Sequence, residues 1–305
     1  MSNPLISVVV CTYNREKFIR NCLECLKVQT LDNSKFEVIV VDNNSKDLSG
    51  QIIQTFIAEN PKLPFYYYFE QNQGLSYARN RGIAESKGAW ITYIDDDAEA
   101  EPEFIENILK AITKYPDAIG FGGKVIPNFV DGRPKWMSKF VESAFASKLD
   151  KGNDFLVFGK DFQGFPIGCN MTYRKSFLND IGGFDPELGR KGDLGLAGEE
   201  KHIFMESLKY NQPVYYLPNV VVYHVIESNR LEEKYLVNLS IGIGKSENYR
   251  TKQISRIENI KKFFDVIFKF FASIILYIIY SLKGDNCKGK YIYLFRKNVT
   301  KGFFQ

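Results

Sequence analysis

Short, mostly apolar runs alternate along the first third of the chain with longer segments in which apolar residues recur every three or four positions. The run at 5–10 is followed by Phe18, Ile19, Cys22, Leu23 and Leu26 at helical spacing. The run at 36–41 is followed by Ile52, Ile53, Phe56 and Ile57, and that at 65–69 by Leu75, Ala78, Gly82 and Ile83. A fourth run, 89–94, precedes Pro102, which suits a first helical turn, and then Phe104, Ile105, Ile108, Leu109 and Ile112. Strands without regular polar alternation are of the kind buried on both faces. Four strand-then-helix units in succession predict an α/β fold, a mostly parallel sheet with helices on both faces.

Sheets of this type bind ligands beyond the carboxyl ends of their strands. Those ends read Thr12-Tyr13-Asn14-Arg15, Asp42-Asn43-Asn44-Ser45, Gln71-Asn72-Gln73-Gly74 and Asp95-Asp96-Asp97. All four are small and polar. Three consecutive aspartates repel one another unless something positive sits among them, and a divalent cation bridging to a phosphate meets that need. A solvated acidic turn starting the next helix is the alternative. One turn past the third strand end, Arg79, Asn80 and Arg81 suit phosphate oxygens, or else a solvated helix face. No G-x-G-x-x-G follows the first strand, and Gly244-Lys245-Ser246 lacks the upstream glycine of a P-loop, with Leu239 in its place.

From Gly120 the character changes. Gly122-Gly123-Lys124-Val125 resembles a short strand, 162–174 is punctuated by glycine, and a short helix from Lys175 leads to Gly182-Gly183-Phe184-Asp185. A glycine-rich stretch, 188–198, has the composition of a binding loop. It delivers Glu199 and Glu200 to the start of a helix running to about Tyr210. Adjacent helical residues diverge by about 100°, so only one of the two carboxylates readily faces a cleft as a general base. Both would also be favoured by the positive end of the helix. His224, one of two histidines, ends the apolar run at 220–223 and offers the acidic cluster a ligand that is not a carboxylate.

Composition narrows the setting. A chain of 305 residues with a formal charge of +4 holds one large α/β core and an appendage. Five scattered cysteines and an N-terminus without a basic, cleavable leader fit reduced thiols in a cytosol. Cys22 and Cys25 fall on the apolar face of a helix with no second pair to complete a zinc site.

Taken in order, Ser7-Val8-Val9-Val10-Cys11-Thr12-Tyr13-Asn14-Arg15, Val40-Val41-Asp42-Asn43-Asn44-Ser45, Asn72-Gln73-Gly74-Leu75-Ser76-Tyr77-Ala78-Arg79-Asn80, Asp95-Asp96-Asp97 and Gly198-Glu199-Glu200 resemble the family 2 glycosyltransferases, over about 5–224. The resemblance implies a GT-A fold, with a donor-binding half at 1–116, an acceptor and base half at 117–227, and a helical tail at 228–305. It implies a nucleotide-sugar donor, a UDP-sugar foremost, held by Thr12, Tyr13, Asn14, Arg15, Asp42, Asn72, Gly74, Arg79, Asp95 and Asp96. Asp42 would meet the base. Asp95 and Asp97 would form the D-x-D that holds Mn2+ or Mg2+, with His224 completing the shell. Glu199-Glu200 stands where the family usually has Glu-Asp, and Glu200 is the expected base, with Glu199 its rival. Acceptor contacts are expected from Trp136, Gly168, Asn170 and Asp185. Inverting transfer to a saccharide or lipid-linked saccharide, in cell-surface polysaccharide or glycolipid assembly, would follow, with no nucleic acid involved. An inactive GT-A-like scaffold and a sugar nucleotidyltransferase are the alternatives. Against the first, triplet and Glu pair are intact; against the second, no glycine-rich basic loop follows the first strand.

The tail is apolar from about 261 to 282, but Asp265 and Lys269 interrupt it, and the clean run of 13 residues at 270–282 falls short of the roughly 20 that span a bilayer. Six basic residues face one acid, Asp285, after Leu282. This pattern predicts an interfacial anchor, peripheral on the cytoplasmic face of the membrane, or alternatively a core helix.

Overall fold

The computed structural model describes residues 4–190 and 198–305. Most of the expected glycine-rich loop, 191–197, lies outside the described residues. The chain divides into two compact units, one of 1–126, 149–186 and 199–225, the other of 127–148, 187–198 and 226–305.

The first unit is built on a mixed sheet. Its parallel part is β1 (Ile6–Thr12), β2 (Phe36–Asp42), β3 (Phe65–Phe69) and β4 (Trp90–Asp95), separated by α1 (Ile19–Lys27), α2 (Ser49–Glu59) and α3 (Leu75–Glu85). The four runs of the sequence therefore fold as the alternation predicts. After β4 come β5 (Ala98–Ala100), α4 (Phe104–Lys114), β6 (Gly120–Phe129), α5 (Lys139–Ala146), β7 (Leu156–Val157), β8 (Met171–Arg174), α6 (Lys175–Asp180), α7 (Glu199–Ser207) and β9 (Val214–Ile226). The strand order is β3-β2-β1-β4-β8-β6-β9-β5, with β7 beside β9. Pairing is parallel from β3 to β4 and antiparallel for β4 with β8, β6 with β8, and β9 with both β5 and β7.

Every residue of β2 is buried, as are all but the last of β4, which is why neither alternates polar with apolar. One core of aliphatic and aromatic side chains, among them Val9, Ile39, Tyr93, Phe104, Phe121 and Tyr216, fills this unit. Gly82 lets α3 lie directly on Val9 of β1, where a Cβ would collide. The β9 strand is longer than its apolar core suggests: His224, which pairs with Ala98 of β5, sits inside it, not at its end, and the extended backbone runs on to Ile226.

In the second unit α8 (Glu233–Ile254), α9 (Arg256–Leu282) and α10 (Asn286–Phe303) pack together, with α5 beside α10. Gly244 and Gly302 allow α8 and α10 to touch backbone to backbone. The sequence reading counts Asp265 and Lys269 as interruptions that leave an apolar run too short to span a bilayer, whereas α9 as a whole, 27 residues, is long and apolar enough by length and composition to cross a membrane. Asp265 is ion-paired with Lys262 at 3.1 Å and Lys269 at 2.8 Å, one turn away on either side.

Candidate active site

Register brings the strand ends together. Thr12 is paired with Asp42, Asp42 with Phe69, and Cys11 with Asp95, so the polar residues after each strand emerge at one edge of the first unit. The loops there are tied to one another. Asn14 donates its backbone N–H to Ser45 Oγ at 3.0 Å and accepts from Lys46 N at 2.7 Å, and Arg15 N donates to Ser49 Oγ at 2.8 Å. Asn14 and Asn44 both adopt left-handed backbone, φ +53° and +65°, which asparagine tolerates better than other side chains of its size. Asn43 bridges onward: its Oδ1 accepts from Gly74 N and its Nδ2 donates to the Asn72 carbonyl, each at 2.7 Å. Asp42 is buried and accepts from Ser45 N at 2.9 Å and Tyr67 Oη at 3.1 Å.

The acidic triplet turns the chain from β4 into β5. Ala98 pairs with His224, and Val225 N donates to the Asp97 carbonyl, so the β5–β9 register delivers His224 to the triplet. His224 Nε2 lies 3.1 Å from Asp97 Oδ1. One ligand atom from each of Asp95, Asp97 and His224 falls within 4.8 Å of the others. Two carboxylate oxygens and one imidazole nitrogen make a donor set that fits Mn2+, and Mg2+ if water or phosphate fills the remaining positions. Arg15 stands alongside, with Nη2 3.5 Å from Asp97 and Nε 3.7 Å from Asp96. Burial, and then the charge of Asp97, push Asp96 up to about 7.

Arg79 is the centre of the other half. It is 2% exposed, and its guanidinium donates to Glu199 Oε1 at 2.7 Å and reaches within 3.8 Å of Asp95. The rings of Phe184 and Tyr93 lie 5.2 and 5.8 Å from it. Gly168 makes this possible, because a Cβ there would strike Arg79 Nη2. Burial lowers the Arg79 pKa, but Glu199 and Asp95 more than offset it, and the net shift is upward. Arg79 is therefore a fixed cation. Glu199 is buried against it, whereas Glu200, the next residue, is partly exposed and carries a pKa raised to about 8 by burial of its carboxyl and by the charge of Glu199.

Two further side chains of α3 hold the Gly182-Gly183-Phe184-Asp185 turn. Asn80 makes reciprocal 2.8 Å bonds with the backbone of Phe184, and Ser76 Oγ donates to the Asp185 carbonyl at 2.8 Å. Sequence reasoning gives no separate role to Asn43 or Ser76, although each lies within a motif that it singles out, and it reads Asn80 with Arg79 and Arg81 as suited to phosphate oxygens, whereas Asn80 holds the Phe184 backbone.

The expected site residues thus divide. Thr12, Tyr13, Asn14, Arg15, Asp42, Asn72, Gly74, Arg79, Asp95, Asp96, Asp97, Glu199, Glu200 and His224 gather at the strand ends of the first unit and the loops and helices beside them, with Gly168 and Asp185 next to Arg79 and α3. Asn170 is 1% exposed, and its Nδ2 donates to the carbonyls of Lys124 and Val220, both at 3.0 Å, which ties β6 to β9. Trp136 belongs to the second unit, stacked on Tyr291 with ring centres 4.3 Å apart.

Comparison with known proteins accords with this arrangement. Residues 7–182 match the family described as Glycosyl transferase family 2. The chain is 27% identical over 252 residues to the glucosyl-dolichyl phosphate glucuronosyltransferase of Haloferax volcanii, covering 79% of this chain and 76% of that one. It is 35% identical over 222 residues to the glycosyltransferase GlyA of Streptococcus pneumoniae, covering 72% of this chain but only 29% of the relative. The putative glycosyltransferase EpsH of Bacillus subtilis is 29% identical, and the chain spans 54% of its length. Among solved structures, the mannosyltransferase PcManGT of Pyrobaculum calidifontis, in complex with GDP-Man and Mn2+, superposes with a TM-score of 0.61 at 13% identity, over 96% of this chain and 86% of that one. S. aureus TarS 1-349 in complex with UDP gives 0.56 at 17% identity, over 98% and 91%. At these identities the structural likeness establishes the fold, a mixed α/β sheet of the GT-A type with C-terminal helices added. With more than half of its length matched, this chain belongs to glycosyl transferase family 2.

Proposed function

We propose that the chain is a metal-dependent inverting glycosyltransferase that moves a sugar from a nucleoside diphosphate sugar to an acceptor hydroxyl. The observation that carries this is the joining of two carboxylate sets through one buried cation. Arg79 contacts Asp95 of the ligand cluster and Glu199 beside the base, so donor site and base are held by a single side chain.

Asp95, Asp97 and His224 would hold Mn2+ or Mg2+, which when bound stabilises the charge gathering on the departing diphosphate. Asp42 and the Asn14–Ser45 loops would take the nucleoside. Glu200 acts as the base: it removes the proton of the acceptor hydroxyl while that oxygen forms its bond to C1. The bond from C1 to the diphosphate oxygen breaks on the opposite face, and the anomeric configuration inverts. Glu199 is less suited to this step, because its carboxylate is committed to Arg79. A pKa near 8 makes Glu200 a stronger base than an ordinary carboxylate.

A UDP-sugar is the donor we favour, and the structural relatives, in complex with UDP and with GDP-Man, keep GDP-sugars in the test. A saccharide acceptor, free or lipid-linked, fits a family relative whose name carries glucosyl-dolichyl phosphate. The five thiols are unpaired, which suits a reducing cytosol. The test is release of nucleoside diphosphate from a panel of UDP-, GDP- and dTDP-sugars with Mn2+ or Mg2+. Donor-selective release that EDTA removes supports the reading. Release from none of them, or release indifferent to EDTA, overturns it.

A further inference from the structure

We infer that the outer face of α9 is a docking surface for an anionic lipid bilayer, on which the helix lies in the plane of the interface. The inference is independent of the transferase reading. The helix has two apolar faces where a soluble three-helix bundle needs one. Its inner face is set by Val266 and Ser273, 5% and 1% exposed, against α8 and α10. Its outer face carries Ile257, Phe264, Phe268, Phe271, Ile275, Ile278 and Leu282, between 55% and 84% exposed. At about 100° per residue these side chains fall in one stripe, about 100° wide, opposite Val266 and Ser273. The stripe runs nearly the length of a helix about 40 Å long. An exposed apolar strip on that scale is of the kind that marks a protein or membrane interaction surface.

Charge identifies the partner. Residues 256–305 hold ten basic and three acidic side chains, a surplus of seven, while the whole chain carries +4, so the remainder is net negative. The three acids are each held by a lysine one turn away: Glu258 by Lys261 at 2.6 Å, Asp265 by Lys262 and Lys269, and Asp285 by Lys288 at 2.7 Å. Arg256 and Lys283 are exposed at the two ends of the stripe. An apolar face with a positive surround matches acyl chains under anionic headgroups.

The stripe also repeats every seven residues, Ile257, Phe264, Phe271 and Ile278 on one line and Phe268, Ile275 and Leu282 on the other, which a second copy of the helix could use. Two observations favour the bilayer. Exposed Ile260 and Ile279 widen the face beyond a two-line seam. Two such segments laid together would also bring like charge surpluses side by side. A membrane-spanning pose is disfavoured because α8 and α10, with their charged side chains, pack along the inner face of α9.

The experiment is co-sedimentation of the full chain with vesicles of phosphatidylcholine alone and of phosphatidylcholine mixed with phosphatidylglycerol. The wild-type chain should pellet with the mixed vesicles, less strongly at high salt, and weakly with phosphatidylcholine alone. Phe268→Glu/Ile275→Glu should reduce pelleting at least about tenfold, and Arg256→Ser/Lys283→Ser should remove mainly its salt-sensitive part. Phe268→Trp, which keeps the face apolar, gives a second readout: its emission should shift to the blue on mixed vesicles and be quenched by brominated lipid. Failure of the wild-type chain to pellet with either vesicle overturns the inference, as does an unshifted Trp emission. A dimer in light scattering that Phe268→Glu/Ile275→Glu dissociates, without vesicle binding, would assign the face to a second copy instead.

Discussion

Arg79 on α3 donates to Glu199 on α7 at 2.7 Å across 120 positions of sequence, and both side chains are buried. Each neutralises a charge that the interior would otherwise expel, and neither is tolerable there alone. Arg79→Met should therefore cost about 3–5 kcal/mol of stability by stranding Glu199. Arg79→Met/Glu199→Leu should recover a large part of that loss without recovering transfer. Urea unfolding of the two variants checks this; a double variant no more stable than the single one would show that the pair is not coupled.

The Glu200 carboxyl, raised to about 8, is protonated in the folded enzyme below that pH and becomes a base above it. The rate should therefore climb with pH and level off near 8, not near the ordinary carboxylate range. Glu200→Gln should lower turnover by roughly two to four orders of magnitude and flatten the profile, while donor binding persists. A pH–rate profile of both proteins is the measurement. If Glu199→Gln abolishes turnover while retaining donor binding and Glu200→Gln does not, the roles are reversed.

Removing one of three ligands should weaken the cation site without unfolding the sheet, since Asp95 ends β4, Asp97 lies in the turn after it, and His224 stands near the end of β9, outside the main hydrophobic core. His224→Ala should raise the Mn2+ needed for half-maximal binding at least about tenfold, and Asp97→Ala should abolish saturable binding. Titration of the apoprotein with Mn2+, read by the signal of the free ion, follows both.

Gly168 leaves a slot that Arg79 fills. Gly168→Ala should displace the guanidinium from Glu199 and Asp95, with a loss of about 1–3 kcal/mol from overpacking and a larger fractional loss of activity than of fold. Circular dichroism and turnover measured together test this. Unchanged turnover would mean the slot accommodates a methyl and Arg79 holds its place.

Periodicity and residue type settled a good part of this protein. Apolar runs without polar alternation write the four parallel strands and their helices directly into the chain, although β3, at the sheet edge, is buried only at Phe65. Once they are placed, chain direction puts Thr12, Asp42 and Asp95 at one edge. Turn chemistry is equally local: Asn14 and Asn44 stand where the backbone turns left-handed.

Interactions between distant segments leave no such mark. Arg79 reads from sequence as a phosphate ligand or a solvated face, and only folding shows it 2% exposed with a carboxylate from α7 against it. His224 reaches Asp97 because β5 and β9 pair in one register, which no spacing reveals. Asn170 and Gly168 are neighbours in the same glycine-punctuated stretch. One is tied to the carbonyls of Lys124 and Val220, and the other leaves room for a guanidinium. In α9 the apolar composition was evident, but which side chains stay bare depends on where α8 and α10 pack. A helix of two apolar faces cannot say from its sequence which one it will bury.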